Sequence, residues 1–142
     1  MTICKSLLLI LTIAFPCYAG EGLATYYTAA SCVAEGNSGV KTASGRDYDE
    51  NAMTCAMRSR EWGSKWRVTN ADTGKSITVT LTDYGPGRRP AARGVIIDLT
   101  PRAFQELGGG KRGEIRVKVE RVRPRSASVQ VTSRPGVQPK GD

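Results

Sequence analysis

Histidine is absent from this chain of 142 residues. Its absence excludes Ser-His-Asp triads and histidine-ligated zinc, and it removes the side chain that most often carries protons near neutral pH. Cysteine is scarce as well, and of the four cysteines only Cys32 and Cys55 lie beyond the N-terminal apolar segment. Two thiols alone make a poor metal site, and a cysteine nucleophile would lack a histidine base. We therefore expect no metal ion, no other cofactor and no catalytic cysteine.

A long apolar run is also missing, since none reaches the roughly 20 residues that a transmembrane helix needs. The apolar segment at residues 7–15 follows a short, positively charged start and precedes the small residues Cys17 and Ala19. This order is typical of a signal peptide cleaved after Ala19. We interpret residues 1–19 as an export signal and expect no transmembrane segment in the mature chain. A lipid anchor on Cys17 is the less favoured alternative, because bulky residues precede it.

Acidic side chains are outnumbered, with 13 Asp and Glu against 21 Lys and Arg, which gives a formal net charge of +8 at pH 7. Such a balance favours an anionic polymer as partner, such as nucleic acid, an acidic glycan or an anionic envelope. Export argues against nucleic acid, and no nucleic-acid-binding motif or interleaving of aromatic and basic residues is present. We expect no nucleic-acid partner.

The predicted export also determines the redox state that we expect for the two cysteines that remain after signal cleavage. In an oxidising compartment, an even pair in a small domain is typical of one disulfide, here Cys32 to Cys55. A closed loop of about 24 residues would stabilise the domain by roughly 3 kcal/mol in the chain-entropy model.

Two carboxylates lie at the ends of two predicted strands. Apolar residues alternate with threonine over residues 76–82 and lead to Asp83, after which the sequence YGPG ends the strand. A second apolar run at residues 95–97 leads to Asp98, and an arginine-rich loop lies between the two strands. Asp83 and Asp98 are therefore candidate acid/base catalysts for a polar, extended substrate. The alternative is that Asp83 opens a turn and Asp98 bonds to nearby backbone amides.

Short strands dominate the rest of the pattern, and one short helix is predicted to begin at Thr100-Pro101 and to end at Gly108. Many short strands with long loops predict a small closed β-barrel. Residues 124–142 have almost nothing to bury and are interpreted as a disordered basic tail that folding does not need. The mature chain then has one domain, residues 20–123. Its predicted strands and short apolar segments are residues 23–28, 52–57, 65–70, 76–82, 95–97 and 114–123.

Five segments, in order, resemble the rare lipoprotein A family: TASGRDYDENAMT, WRVTN, TG, VTLTDYGP and IIDLT. The resemblance covers roughly residues 22–122 and implies an all-β fold, a six-stranded double-psi β-barrel with one or two short helices. It also implies a periplasmic or secreted lytic transglycosylase that cleaves the glycan strands of peptidoglycan, and we expect a monomer. The segment from TDYGP to IIDLTPRAF is also similar to the first domain of expansins, which loosen wall polysaccharides without hydrolysis.

Two departures from the resembled family fall at its functional positions. The family motif TASGE or TANGE ends in a glutamate regarded as catalytic, and this chain has Arg46 there. Where the family motif TAAH ends in histidine, this chain has Met57, whereas the aspartate before the Gly-Pro turn is kept as Asp83. We interpret the chain as a lytic transglycosylase with a degenerate site. The alternatives are a non-catalytic, expansin-like wall-binding protein and a structural protein without a wall function.

Substrate-binding residues are predicted from side-chain chemistry, because sugar rings stack on aromatic faces and arginine forks bind carboxylates. The aromatic candidates for contacting sugars are Tyr26, Tyr27, Tyr48, Trp62, Trp66 and Tyr84. We favour Tyr84, and Trp62 in the polar loop RSREWGSK, whereas Trp66 shares a predicted strand face with Val68 and is typical of a core residue. We expect Arg46 and Arg88 to contact the carboxylates of muramyl groups or stem peptides, with a solvated basic surface as the alternative. Asp47 is a candidate to replace the missing glutamate if the loop shifts by one residue.

Overall fold

The computed structural model describes residues 18–34, 36 and 39–123. The predicted tail and all but the end of the predicted export signal lie outside these residues. Within them the strands are β1 (Tyr18–Tyr26), β2 (Thr54–Met57), β3 (Lys65–Asn70), β4 (Ser76–Tyr84), β5 (Val95–Leu99) and β6 (Ile115–Val122). The helices are α1 (Ala29–Ala34), α2 (Arg88–Ala92) and α3 (Pro101–Glu106). No helix in this part of the chain is long and apolar enough to cross a membrane.

The six strands close into a barrel in the order β1-β5-β2-β4-β3-β6. The pairs β1–β5 and β2–β4 are parallel, whereas the other four pairs are antiparallel. Closure leaves no strand edge unpaired, which is how small all-β domains satisfy their backbone groups. The predicted closed, six-stranded all-β barrel is confirmed.

The barrel interior is filled by every second residue of the strands, as the two-residue period of a strand requires. In β3, for example, Trp66 and Val68 are buried while Lys65 and Arg67 are exposed. Helix α3 covers one part of this core with Phe104. The largest fully buried side chains include Phe104, Leu81, Ile97, Leu99, Leu107, Val68, Val79, Val95, Val117 and Val119.

The helices differ from the expectation of one or two, because the described residues hold three. Helices α1 and α2 were predicted as loops; at 6 and 5 residues they are too short to leave a periodic pattern in the sequence. Helix α3 lies where it was predicted, with Pro101 in its first turn. Its N-cap residue Thr100 makes no side-chain cap; the hydroxyl donates instead to the carbonyl of Ala52.

Candidate functional site

The two candidate catalytic aspartates belong to one row of cross-strand neighbours. Thr25 on β1 pairs with Asp98 on β5, Asp98 pairs with Ala56 on β2, and Ala56 pairs with Asp83 on β4. Residues paired across a ladder lie on the same face of the sheet, and strands are about 4.8 Å apart. The barrel therefore brings both carboxylates to one surface, two strand spacings apart.

All four residues of this row line a groove of about 550 Å³, which we call the aspartate groove. Its walls carry the aromatic side chains of Tyr26, Tyr27, Tyr48 and Tyr84 and the basic side chains of Lys41 and Arg93. The groove therefore combines carboxylates, hydrogen-bonding groups and aromatic faces, which is the usual composition of a site for a polar ring.

Asp83 is held by the backbone. Its Oδ1 accepts hydrogen bonds from the N–H groups of Ala43, at 3.0 Å, and Tyr84, at 2.8 Å. Ala43 belongs to a tight loop that is docked on β4 by the bond from the Ser44 N–H to the Thr82 carbonyl, at 3.0 Å. No hydrogen bond within the described residues reaches Oδ2 of Asp83. The local bonds predicted for a turn residue are present, and they leave one carboxylate oxygen for a ligand.

Asp98 is positioned by its neighbour in the row, because the Thr25 hydroxyl donates a hydrogen bond to Asp98 Oδ1. The aspartate also lies close to Cys55, which precedes Ala56 on β2. Burial raises the pKa of the Cys55 thiol, and the negative charge of Asp98 raises it further. This thiol therefore stays protonated at neutral pH and supplies no nucleophile.

Two exposed tyrosines stand on the walls of the aspartate groove, each supported by a second aromatic ring. Tyr26 is 47% exposed and its ring centroid lies 5.1 Å from that of Phe104. Tyr84 is 50% exposed and meets Trp62 edge to face, with centroids 5.3 Å apart. Rings that are exposed on one face and held on the other can stack on sugars.

Trp62 was predicted to be an exposed platform for a sugar, whereas in the structure it is only partly exposed. The side chain is half-buried, packs against the hydrophobic core and is not among the residues that line the aspartate groove. A large apolar ring gains more free energy against the core than in water, so the polar composition of its loop was a poor guide. Trp62 supports Tyr84 instead.

Tyr27 and Tyr48 were among the aromatic candidates for contacting sugars, and both line the aspartate groove. Their ring centroids are 5.0 Å apart, and the Tyr48 hydroxyl donates to the Tyr27 carbonyl at 2.6 Å. Burial raises the pKa of both phenols, and the nearby charge of Asp83 adds to the effect at Tyr27. The buried Tyr27 hydroxyl has no hydrogen-bond partner within residues 18–34, 36 and 39–123.

The residues at the family's other functional positions, Arg46 and Met57, are not among those that line the aspartate groove. Arg46 is exposed and is not among the residues lining the aspartate groove, and Asp47 forms an ion pair with Lys41. Met57 is buried at 7% exposure and packs in the core. The carboxylate of Asp47 is therefore directed to a lysine rather than toward Asp83.

Arg88 lies in a second groove, together with Arg58 and Arg60. This groove of about 430 Å³ adjoins the aspartate groove, because Tyr84, at the boundary, lines both. The backbone at this boundary is close-packed, since a Cβ on Gly85 would lie 2.4 Å from the Cα of Met57.

The two cysteines both lie near enough to Tyr27 to contribute to its electrostatic surroundings. Cys55 is buried in β2, and Cys32 lies on α1 and lines the aspartate groove. The structure carries no bond between the two sulfurs. The disulfide stays a prediction for the exported, oxidised protein.

The closed barrel with two parallel strand pairs and a carboxylate-bearing groove defines a double-psi β-barrel domain. A family model described as "Lytic transglycolase" matches residues 19–119, and the chain belongs to this family.

Relatives in several bacteria carry the same domain. The chain is 36% identical over 100 residues to a protein of Nostoc sp. named "Probable endolytic peptidoglycan transglycosylase RlpA", covering 70% of this chain and 25% of the relative. It is 36% identical over 124 residues to the protein of the same name from Treponema pallidum, covering 84% of this chain and 36% of the relative. The match to "Endolytic peptidoglycan transglycosylase RlpA" of Neisseria meningitidis is 41% over 88 residues, or 61% and 34% of the two chains. The chain thus spans about a quarter to a third of the length of these curated relatives.

Two solved structures share the fold at low sequence identity. An expansin of Clavibacter michiganensis superimposes with a TM-score of 0.55 at 22% identity, covering 76% of this chain and 52% of that one. The Streptomyces papain inhibitor superimposes with a TM-score of 0.53, also at 22% identity, covering 75% and 97%. These similarities establish the barrel and carry no information on activity.

Proposed function

We propose that this protein cleaves the glycan strands of peptidoglycan without water, as a lytic transglycosylase of the cell envelope. The observation that supports the proposal is the row that places Asp83 and Asp98 in one groove, flanked by exposed tyrosines. Membership of the lytic transglycolase family and the names of the bacterial relatives agree with it. Peptidoglycan lies outside the cytoplasmic membrane, so the same proposal places the protein in the periplasm or beyond.

The chemistry needs one carboxyl group that exchanges protons and no activated water. A hydroxyl of the muramyl sugar attacks its own anomeric carbon, the glycosidic C–O bond breaks, and a 1,6-anhydro ring forms. The proton lost by the attacking hydroxyl balances the proton gained by the leaving oxygen, so the catalyst ends unchanged. We assign this exchange to Asp83, whose Oδ2 is not held by the backbone.

Asp98 is assigned the supporting role of a second carboxylate facing the same sugar. The Thr25 hydroxyl fixes its Oδ1, so the carboxylate is oriented before the substrate arrives. A fixed negative charge near the anomeric carbon stabilises the positive charge that develops there as the glycosidic bond breaks.

The second candidate function is wall binding without cleavage, and a specific observation favours it. The family position for glutamate is Arg46, the family position for histidine is the buried Met57, and the neighbouring Asp47 is paired with Lys41. Losing one general acid or base costs a factor of about 10² to 10⁴ in rate. In this case the groove would bind the strand and leave it intact.

The experiment that separates the two is incubation of the exported protein with purified sacculi, followed by mass spectrometry of the soluble products. Release of 1,6-anhydromuramyl products supports the enzyme. Binding to sacculi without any such product overturns it and leaves the wall-binding function. A protein that neither binds nor cleaves sacculi would exclude both.

A further inference from the structure

The groove next to the aspartate groove is distinguished by its charge. It is bordered by Arg58, Arg60 and Arg88, and among the described residues no acidic side chain lines it. We call these three residues the arginine cluster. Arg58 and Arg60 follow β2, whereas Arg88 begins α2, so only the barrel brings them together. A concave, single-sign site of this kind raises the local concentration of oppositely charged ligands.

The arginine cluster is not neutralised by the protein. None of the ion pairs formed within residues 18–34, 36 and 39–123 involves its members, and all three side chains are exposed. The acid that follows Arg60 in sequence, Glu61, is bound instead by Arg121 at 2.6 Å. The guanidinium forks of the cluster therefore face solvent with their donors available for a carboxylate.

By contrast, the arginine that lines the aspartate groove in the described part of the chain, Arg93, is already in an ion pair. Arg93 pairs with Glu114 at 2.9 Å. Charge recognition in the two grooves thus differs. The aspartate groove presents carboxylates together with an arginine and a lysine that are both in ion pairs, whereas the arginines of the neighbouring groove form none of the ion pairs found within the described residues. A ligand that carries both uncharged rings and carboxylates fits the two grooves together better than a uniformly charged one.

Tyr84 joins the two grooves. This residue lines both of them, and the Arg60 guanidinium carbon lies 5.4 Å from the centroid of its ring, within the range of a cation–π contact. A sugar stacked on Tyr84 would therefore have its substituents beside the arginine cluster. A carboxylate joined to a sugar ring by a short chain lies at a distance from that ring similar to the 5.4 Å that separates the Arg60 guanidinium from the Tyr84 ring.

We propose that the arginine cluster binds carboxylate groups carried by the glycan strand whose sugars lie in the aspartate groove. This inference rests on the proposed function, because it needs a strand in that groove. The carboxylate can come from the lactyl group of a muramyl sugar without its peptide, or from the stem peptide itself. In either case the cluster selects charged wall glycan over neutral polysaccharide.

The test compares binding of three probes: neutral N-acetylglucosamine oligomers, glycan strands stripped of peptide so that lactyl carboxylates are free, and strands that keep their stem peptides. The variant is Arg58→Gln/Arg88→Gln, which leaves the Arg60–Tyr84 contact in place. The matched control is Arg67→Gln/Lys75→Gln, which removes the same charge from exposed residues on β3 and the β3–β4 turn. Circular dichroism and the thermal midpoint confirm that both variants are folded.

We expect the cluster variant to bind carboxylate-bearing strands about three- to tenfold more weakly at low salt, with neutral oligomers affected less than twofold. The control variant should change all three affinities less than twofold. Loss on stripped strands identifies the lactyl carboxylate, and loss confined to peptide-bearing strands identifies the stem peptide.

Equal weakening in the cluster and control variants would overturn the inference, since net charge alone would then explain binding. Equal affinity of the unmodified protein for neutral and carboxylate-bearing strands would overturn it too, while leaving the proposed function standing. Failure to bind any of the three probes would instead contradict the proposed function.

Discussion

Asp83 and Asp98 are register partners of the same residue, Ala56, from opposite sides of strand β2. Because neighbouring strands are about 4.8 Å apart, the two aspartate Cα atoms lie about 10 Å from each other. Two carboxylates on Cα atoms at that separation can bind a sugar ring between them. This relationship makes the pair a candidate site.

The first prediction concerns Asp83. We expect Asp83→Asn to abolish release of anhydro products while binding to sacculi is retained, because the amide cannot exchange a proton. The amide oxygen can still accept the bonds from Ala43 and Tyr84, so the free energy of unfolding should change by less than about 1 kcal/mol. Asp83→Ala removes that acceptor and should destabilise the protein by about 0.5–2 kcal/mol. Activity unchanged in the asparagine variant would show that Asp83 serves only the turn.

The second prediction restores the carboxylate that the resembled family has at position 46. Arg46 lies in the loop whose Ala43 N–H binds Asp83, so Arg46→Glu should raise product release from sacculi. The control is Arg67→Glu, which makes the same charge change on an exposed residue of β3. Met57→His is the companion change, and we expect it to lower stability because it places an imidazole in a buried core position. Equal activity in the two glutamate variants would argue against a role for position 46.

The third prediction is covalent. In the exported protein Cys32 and Cys55 should be joined, since both lie beside Tyr27 and the compartment is oxidising. Titration of the denatured, unreduced protein should then find about zero thiols, and titration after reduction should find about two. Two thiols before reduction would contradict the pairing.

The fourth prediction uses two glycines of one turn. A Cβ at Gly85 would lie 2.4 Å from the Cα of Met57, so Gly85→Ala forces two backbone segments apart and should cost about 1–3 kcal/mol. In a domain of this size such a loss lowers the thermal midpoint by several degrees, roughly 4–20 °C. Gly87→Ala is the matched control, because its Cβ meets nothing within 4 Å and its φ of −58° suits any residue. Its midpoint should be unchanged or slightly raised.

The fifth prediction is a pH dependence. Burial raises the pKa of Tyr27 and Tyr48 above their unfolded values, so the folded state keeps protons that the unfolded chain releases. The stability that these groups contribute is fully present below about pH 9 and is lost as the pH rises further. Denaturant unfolding at pH 7 to 11 should therefore show a falling free energy above pH 9.

Tyr27→Phe is the control for this pH dependence. The buried Tyr27 hydroxyl has no hydrogen-bond partner in the described part of the chain, so its removal at pH 7 should change stability by less than about 0.5 kcal/mol. Above pH 9 the variant should lose less stability than the parent protein. An identical decline in both proteins would mean that Tyr27 does not contribute to the alkaline transition.

Sequence reasoning anticipated those parts of the molecule that local patterns describe. The alternation over residues 76–82 predicted β4 and its buried face, and the positions of Asp83 and Asp98 after apolar runs predicted two carboxylates at strand ends. Periodicity is enough to predict such a strand, because a strand with one buried face alternates apolar and polar residues whichever strands lie beside it. The catalytic roles of the two aspartates stay predictions.

The tertiary structure alone decided which of these residues meet. Strand β2 lies between β4 and β5 in the barrel although it precedes both in the chain, and this insertion gives Asp83 and Asp98 their common neighbour. The same closure brings Arg58 and Arg88 to one groove, whereas the pairing of Asp47 with Lys41 is made locally, by a bridge within one loop. Hydrophobic patterning reports how deeply a residue is buried, whereas cross-strand partners depend on the order in which the strands close. That order is a property of the whole barrel.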